Sequence, residues 1–198
     1  MRKIEKRSIF CLILAALLGL GLAFFCFQFV VDGGDWASYP YNRHLYNNAG
    51  QLKGGTILDR DGDMLSTLDE DGNRIYNDDA TVRRATLHAV GDKNGNIGAG
   101  ALTSFADKLS GYNLLTGVYS PLGTGNSLYL TIDAYLNNVA YQALNGMNGT
   151  VGVYNYKTGE ILCMVSTPTF DPANPPDIAA DDPAWDGVYV NRLLSANS

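Results

Sequence analysis

Lys157-Thr158-Gly159 lies inside VYNYKTGEILCMVS, residues 153–166. A Lys-Thr-Gly triplet is one of three short elements of a serine acyl-transfer site, the others being Ser-x-x-Lys and a Ser-x-Asn. In that chemistry a serine hydroxyl attacks a carbonyl, and a lysine one helical turn later takes part in the proton transfer. A Ser-x-Asn is present at Ser195-Ala196-Asn197. No serine, however, has a lysine three positions on; Ser104 comes nearest, with Lys108 four away. Without the nucleophile both triplets are expected to be structural, and no residue is expected to be catalytic.

Metal chemistry fares no better. Three clusters, DRDGD at 59–63, DEDGN at 69–73 and DKNGN at 92–96, resemble the start of a calcium loop. Such a loop needs glycine at position 6 and glutamate at position 12. Counting from Asp59 gives Glu70 at the last position but Met64 at the sixth; Asp69 and Asp92 give Arg74 and Ile97 there. Tight hairpin turns explain all three. His44 and His88 are the only histidines and have no acidic or nucleophilic partners nearby in sequence, so both are expected at the surface or in turns. No glycine-rich phosphate loop follows a strand, since GGT at 54–56 precedes one. No cofactor-binding or metal-ligating residue is expected.

The elements that would position any chemistry begin with a membrane segment. Residues 8–31, SIFCLILAALLGLGLAFFCFQFVV, carry no charge, and as a helix they would extend about 36 Å, enough to cross a bilayer with some tilt. The run is longer than the apolar core of a cleaved signal peptide, and no small-x-small cleavage site follows it. The basic start MRKIEKR against Asp32 and Asp35 places a short tail in the cytoplasm and the body outside. Of the net charge of -6, the first seven residues carry +3 and residues 32–198 carry -9. An acidic body argues against nucleic acid, which needs clustered Lys and Arg. Cys11 and Cys26 fall within the membrane run, leaving Cys163 as the one thiol outside, so no disulfide is possible in the soluble part.

Beyond Asp32 the chain is polar and aromatic to about Gly50, an extended linker. Thr56-Ile57-Leu58, Met64-Leu65-Ser66 and Arg74-Ile75-Tyr76 are short strand-like pieces between Asp-Gly turns. Thr103 to Leu109 reads as a short helix capped by Thr103, and SPLGTGNS, 120–127, as a boundary. Asp133 is suited to cap a helix whose apolar positions Leu136, Val139, Ala140, Ala143 and Leu144 follow helical spacing, with Gly146 ending it. Val151–Tyr156 and Ile161–Ser166 then read as two strands joined by a tight turn at Lys157-Thr158-Gly159-Glu160. A Pro-rich loop, PTFDPANPPD, follows.

Four features in this order resemble the class B penicillin-binding proteins, membrane-anchored D,D-transpeptidases that cross-link peptidoglycan. They are the N-terminal signal-anchor; GGTILDRDGDMLS, 54–66, similar to the family's RGxIxDRNGxxLA with Lys53-Gly54-Gly55 in place of Arg-Gly; LYLTIDAYLNNVAYQAL, 128–144; and GTVGVYNYKTGEILCMVSTPTFDP, 149–172, similar to GAVVxxDxxTGEILAMxSxPxxDP, with Asn155 departing from the Asp. Tyr189-Val190-Asn191-Arg192 also resembles the family segment just upstream of the Ser-x-x-Lys helix. In that family the order is Ser-x-x-Lys, Ser-x-Asn, then Lys-Thr-Gly, whereas here the Lys-Thr-Gly comes before the Ser-x-Asn. The resemblance therefore implies a fragment that stops short of the nucleophile.

On this reading the fold class is α+β: a single transmembrane helix, a small β-rich pedestal, and the opening helix and hairpin of a transpeptidase domain. The expected divisions are a cytoplasmic tail at 1–7, the anchor at 8–31, linker and pedestal at 32–127, and an incomplete transpeptidase part at 128–198 that is marginally stable by itself. The resemblance implies that the intact protein acts on peptidoglycan stem peptides, is acylated by β-lactams, and partners a SEDS-type glycan polymerase through the membrane helix and pedestal. The chain itself is expected to be inactive. The alternative is a non-catalytic membrane-anchored interaction protein of the cell-wall machinery; an extracellular calcium-binding module is a weaker rival.

Overall fold

The computed structural model describes residues 2–37, 54–110, 125–179 and 182–195. Of the stretch read as an extended linker at 32–50, residues 32–37 are instead helical, and the rest, including His44, lies outside the described residues, as does most of the boundary at 120–127.

Helix α1, Arg2–Ala37, contains the apolar run. Its leucines and phenylalanines point outward uncovered by protein, as with Leu18 and Phe24. Among the described residues it is the one helix long and apolar enough to cross a membrane.

Strands β1 (Ile57–Leu58), β2 (Met64–Leu68) and β3 (Arg74–Tyr76) form antiparallel neighbours, as the Asp-Gly turns require. The turn between β1 and β2 is shaped by Asp59, whose Oδ1 accepts from the N–H of Asp61 and of Asp63, both at 2.9 Å. Asp69 does the same for the next turn, accepting from Asn73 N at 2.7 Å. The third cluster departs from expectation. Asp92 leads into no hairpin; it closes a loop after a helix by accepting from Ile97 N at 2.8 Å.

That helix, α2 (Ala80–Val90), has no counterpart in the sequence reading. Asp79 caps it by accepting from Thr81 N at 2.7 Å. It ends at Gly91, with a φ of 97°. The short helix expected at Thr103–Leu109 is two pieces, α3 (Ala101–Ser104) and α4 (Ala106–Ser110). It starts after Gly100 and not at Thr103, whose hydroxyl instead donates to Ile97 O at 3.4 Å.

Strand β4 (Leu128–Tyr129) joins the first sheet in parallel to β1, giving the order β3-β2-β1-β4. Helix α5 (Ala134–Leu144) follows, capped by Asp133, which accepts from Leu136 N at 2.9 Å. Of its five expected apolar positions three face inward, Ala140 buried and Leu136 and Leu144 packed against Cys163 and Val165. Ala134, Asn137 and Ala140 are buried, while Val139 and Ala143 face outward. The helix docks through a side-chain amide: Asn137, fully buried, accepts from Met164 N at 3.0 Å and donates to Asp133 O at 2.7 Å. Apolar spacing cannot anticipate a polar residue that replaces a strand's missing hydrogen-bond partner.

Strands β5 (Gly149–Tyr154) and β6 (Ile161–Thr167) form the second sheet, an antiparallel hairpin. Among the described residues β5 pairs with β6 alone. Val153 and Tyr154 on β5 are exposed, so among the described residues the hairpin has an open edge with uncovered apolar surface. The core runs between the two sheets: Ile57, Leu65, Val90, Leu109, Ile132 and Met164 pack as one cluster. The architecture is α+β.

Candidate functional site

The Lys-Thr-Gly triplet forms the exposed tip of the β5–β6 hairpin. Gly159 has a φ of 78° and its N–H donates to Asn155 O at 2.7 Å. Glycine adopts that backbone without strain, which accounts for it there. Asn155 Oδ1 also accepts from Lys157 N at 3.0 Å, and Thr158 Oγ1 donates to Glu160 Oε2 at 2.9 Å. The Lys157 N–H, the Thr158 hydroxyl and the Gly159 N–H are thus all engaged within the turn. Ser195 donates its N–H to Asn191 O at 3.0 Å, while Asn197 of the Ser-Ala-Asn triplet lies outside the described residues.

Leaving the anchor aside, four motifs scattered along the chain, at 54–66, 128–144, 149–172 and 189–192, meet in space. Asp59 of the first motif reaches the second, its Oδ2 accepting from Ala134 N at 3.1 Å. Beside it Arg60 N donates to Ile132 O at 3.0 Å. The second motif reaches the third: Asp133 N donates to Leu162 O at 2.9 Å, and Asn137 holds Met164. The third reaches the last, with Ser166 Oγ accepting from Arg192 N at 3.1 Å and Thr167 O accepting from Arg192 Nε at 3.0 Å. Asn191 donates to Met164 Sδ at 3.3 Å from the other side.

Close backbone approach explains Gly55 of the first motif. A Cβ on Gly55 would stand 1.6 Å from Asn126 O. Only a residue without one lets β1 lie beside β4. Next to it Arg74 is buried, with Nη1 donating to Gly55 O at 2.7 Å and Nε and Nη2 finding no partner among the described residues. Burial lowers its pKa to about 10, so it stays cationic at neutral pH.

Helix α2 forms the inner wall of this assembly and carries the residues that sequence reasoning missed. Arg83 holds Asp171 with two parallel bonds of 2.6 Å, Nε to Oδ1 and Nη2 to Oδ2. The Arg83 hydrogen bond holds the Asp171 carboxyl below its ordinary range. His88, expected at the surface, is 1% exposed. Its Nε2 lies 2.7 Å from Val188 O, and burial pushes its pKa down, with the nearby Arg192 cation adding to the shift. The signal for α2 was present in Asp79, the run Val82, Ala85, Ala89 and Val90, and the stop at Gly91. Cys163, inside β6, is also buried and its pKa is raised by burial.

Among the described residues no group of three or more His, Cys, Asp or Glu side chains is placed to hold a metal ion. The first carboxylate of each calcium-like cluster, Asp59, Asp69 or Asp92, accepts N–H groups of its own loop.

No family model matches the chain. Two curated proteins are similar over about a quarter of it. The peptidoglycan D,D-transpeptidase MrdA of Acinetobacter baumannii is 48% identical over 48 residues, 24% of this chain and 7% of that protein. MrdA of Haemophilus influenzae is 41% identical over 51 residues, 26% of this chain and 8% of that protein. The match thus spans less than a tenth of the length of these relatives. Among solved structures, Pseudomonas aeruginosa PBP2 in complex with WCK 5153 is 24% identical at a TM-score of 0.48, covering 62% of this chain and 29% of that one. The D,D-transpeptidase domain of a peptidoglycan glycosyltransferase from Eggerthella lenta is 28% identical at 0.49, covering 71% and 32%. Over the stretch shared with MrdA the chain is homologous to the penicillin-binding D,D-transpeptidases, the family its motifs pointed to.

Proposed function

We propose that this chain is the membrane-proximal part of a class B penicillin-binding protein, anchored by α1 with its N-terminus in the cytoplasm and its body outside. In the complete enzyme a serine Oγ would attack the carbonyl of the D-Ala-D-Ala bond of a stem peptide. D-Ala would leave, and an amine of a neighbouring stem would take the acyl group and free the serine. A β-lactam would acylate the same oxygen, its ring amide opening in place of the leaving D-Ala. The 198 residues contain no Ser-x-x-Lys, so serine and lysine would come from outside them.

The observation that carries this reading is the convergence of the four motifs. Asp59–Ala134, Asn137–Met164 and Ser166–Arg192 join them in one continuous seam. A set of chance similarities has no reason to pack together. The chain's own part in the reaction is scaffolding: it supplies a hairpin with a free edge on which further sheet could build. Helix α1 and the pedestal strands are the surfaces on which a SEDS-type polymerase would dock.

The test is a gel assay with a fluorescent penicillin, on membranes from cells expressing the 198 residues and on membranes expressing the reading frame extended downstream. The extended product should be labelled and the 198-residue chain should not. Labelling of the shorter chain, or a downstream frame without an Ser-x-x-Lys within a few tens of codons, would overturn the proposal.

A further inference from the structure

One face of α2 receives two chain segments that lie far from it in sequence. Thr169 Oγ1 donates to Arg84 O at 2.8 Å, and Asp171 pairs with Arg83. One turn on, Leu87 packs with Phe170 and Val188. At the same level His88 Nε2 meets Val188 O at 2.7 Å, and Asn191 Nδ2 donates to His88 O at 3.2 Å. Residue 88 therefore engages the segment twice, in opposite directions. Its ring gives a hydrogen bond to residue 188, and its carbonyl accepts one from residue 191.

Both bonds serve groups that would otherwise be orphaned. A carbonyl oxygen only accepts, so the ring nitrogen facing Val188 must carry the proton. His88 O belongs to the last turn of α2, where carbonyls lack partners within the helix; Asn191 satisfies it. His88 and Asn191 are 1% and 4% exposed, so water cannot substitute for either bond. Asn191 also donates to Met164 Sδ, and Arg192 ties the segment to Ser166, Thr167 and Asp186.

We propose that His88 is a positioning residue, a neutral Nε2–H imidazole through which helix α2 fixes residues 188–195 against β6. On the function proposed above, which this inference takes as its premise for the segment's role, these residues lead toward the acylating serine. The latch sets where that path begins.

Hydrogen exchange on the full chain in detergent micelles tests the latch. Within the segment, Val190 N donates to Gly187 O, and Leu194 N and Ser195 N donate to Asn191 O. His88→Leu should speed exchange at these three amides by about tenfold, the loss of one buried hydrogen bond. Exchange at Asn137 N, in α5, should stay within about twofold. His88→Gln, whose amide nitrogen can stand where Nε2 stands, should restore the slow rates. Unchanged rates in His88→Leu, equal acceleration everywhere, or no rescue by Gln would each overturn the proposal. Nitrogen NMR of the unmutated imidazole decides the matter even if His88→Leu does not fold: a protonated Nε2 and a bare Nδ1 are expected, and the opposite tautomer refutes the latch. Failure of penicillin labelling would remove the segment's catalytic role and leave the latch standing, so the two readings fail separately.

Discussion

Asp59 Oδ2 accepts the backbone N–H of Ala134 at 3.1 Å, joining a turn of the first sheet to the start of α5 across 75 residues of sequence. The other oxygen of the same carboxylate organises the turn itself, through Asp61 N and Asp63 N. One buried side chain, 2% exposed, thus shapes a hairpin and fastens a helix to it.

Its two jobs separate by substitution. Asp59→Asn keeps one acceptor for the turn but presents an amide N–H, or a single shared oxygen, to Ala134; a loss of about 1–2 kcal/mol is expected. Asp59→Ala removes both and should cost about 2–3 kcal/mol. Thermal unfolding in micelles measures the difference, and equal losses from the two variants would contradict the division of labour.

Gly55→Ala should be costly although it adds a single methyl group. Its Cβ would meet Asn126 O at 1.6 Å, so β4 must move away from β1. About 3 kcal/mol or more is expected, the upper end of overpacking losses. Gly62→Ala is the control: it has open space around it and pays only for its φ of 94°, about 1 kcal/mol. Comparable losses would show that the close approach is not the cause.

Asn137→Leu, nearly the same size, leaves the buried Met164 N without its partner, while Asp133 O keeps the backbone N–H of residue 137. A loss of about 2–4 kcal/mol is expected. Val139→Asn, on the outward face of α5, should change stability by less than about 0.5 kcal/mol. Urea unfolding of both variants checks the assignment of faces, and the reverse ranking would support the orientation that apolar spacing alone suggests.

The Arg83–Asp171 pair predicts an acid-sensitive joint. The folded pKa of Asp171 lies below its ordinary value of 3.8. Its contribution is therefore complete well above pH 3.8 and disappears as pH falls through the folded value. Asp171→Asn should remove that component, so its stability falls less steeply than the parent's below about pH 4. Parallel pH profiles of the two proteins would show that the pair carries no pH-dependent stability.

His88 shifts in the same sense for a different reason. Burial disfavours its cation, so stability is present above 6.5 and declines as pH drops below that value toward the lowered folded pKa. The two groups are separable, because the His88 window opens nearer neutrality than that of Asp171.

Much of the architecture was legible because short-range chemistry specifies it. Asp-Gly turns set the β1–β2 and β2–β3 hairpins, Asp133 marked the start of α5, and the flanking strands of Lys-Thr-Gly identified it as a turn. Helix α2 was passed over because its polar residues, Arg83, Arg84 and His88, obscure the apolar stripe. Those residues are polar because their partners, Asp171 and the carbonyl of Val188, arrive from other parts of the chain. Apolar spacing found Leu136, Ala140 and Leu144 on the inward side of α5 but not Asn137, for the same reason: it is polar in sequence but matched in space.

By itself, then, the sequence determined the apolar helix, the turns, the motif order and the resemblance that order carries, since each depends on neighbours within a few residues or on pattern. Only the tertiary structure decided that Asp59, Asn137, His88 and Arg83 are the joints between motifs. A buried polar group is stable only with its partner in place, and those partners lie from 27 to 100 residues away. No local pattern records such a pairing; packing does.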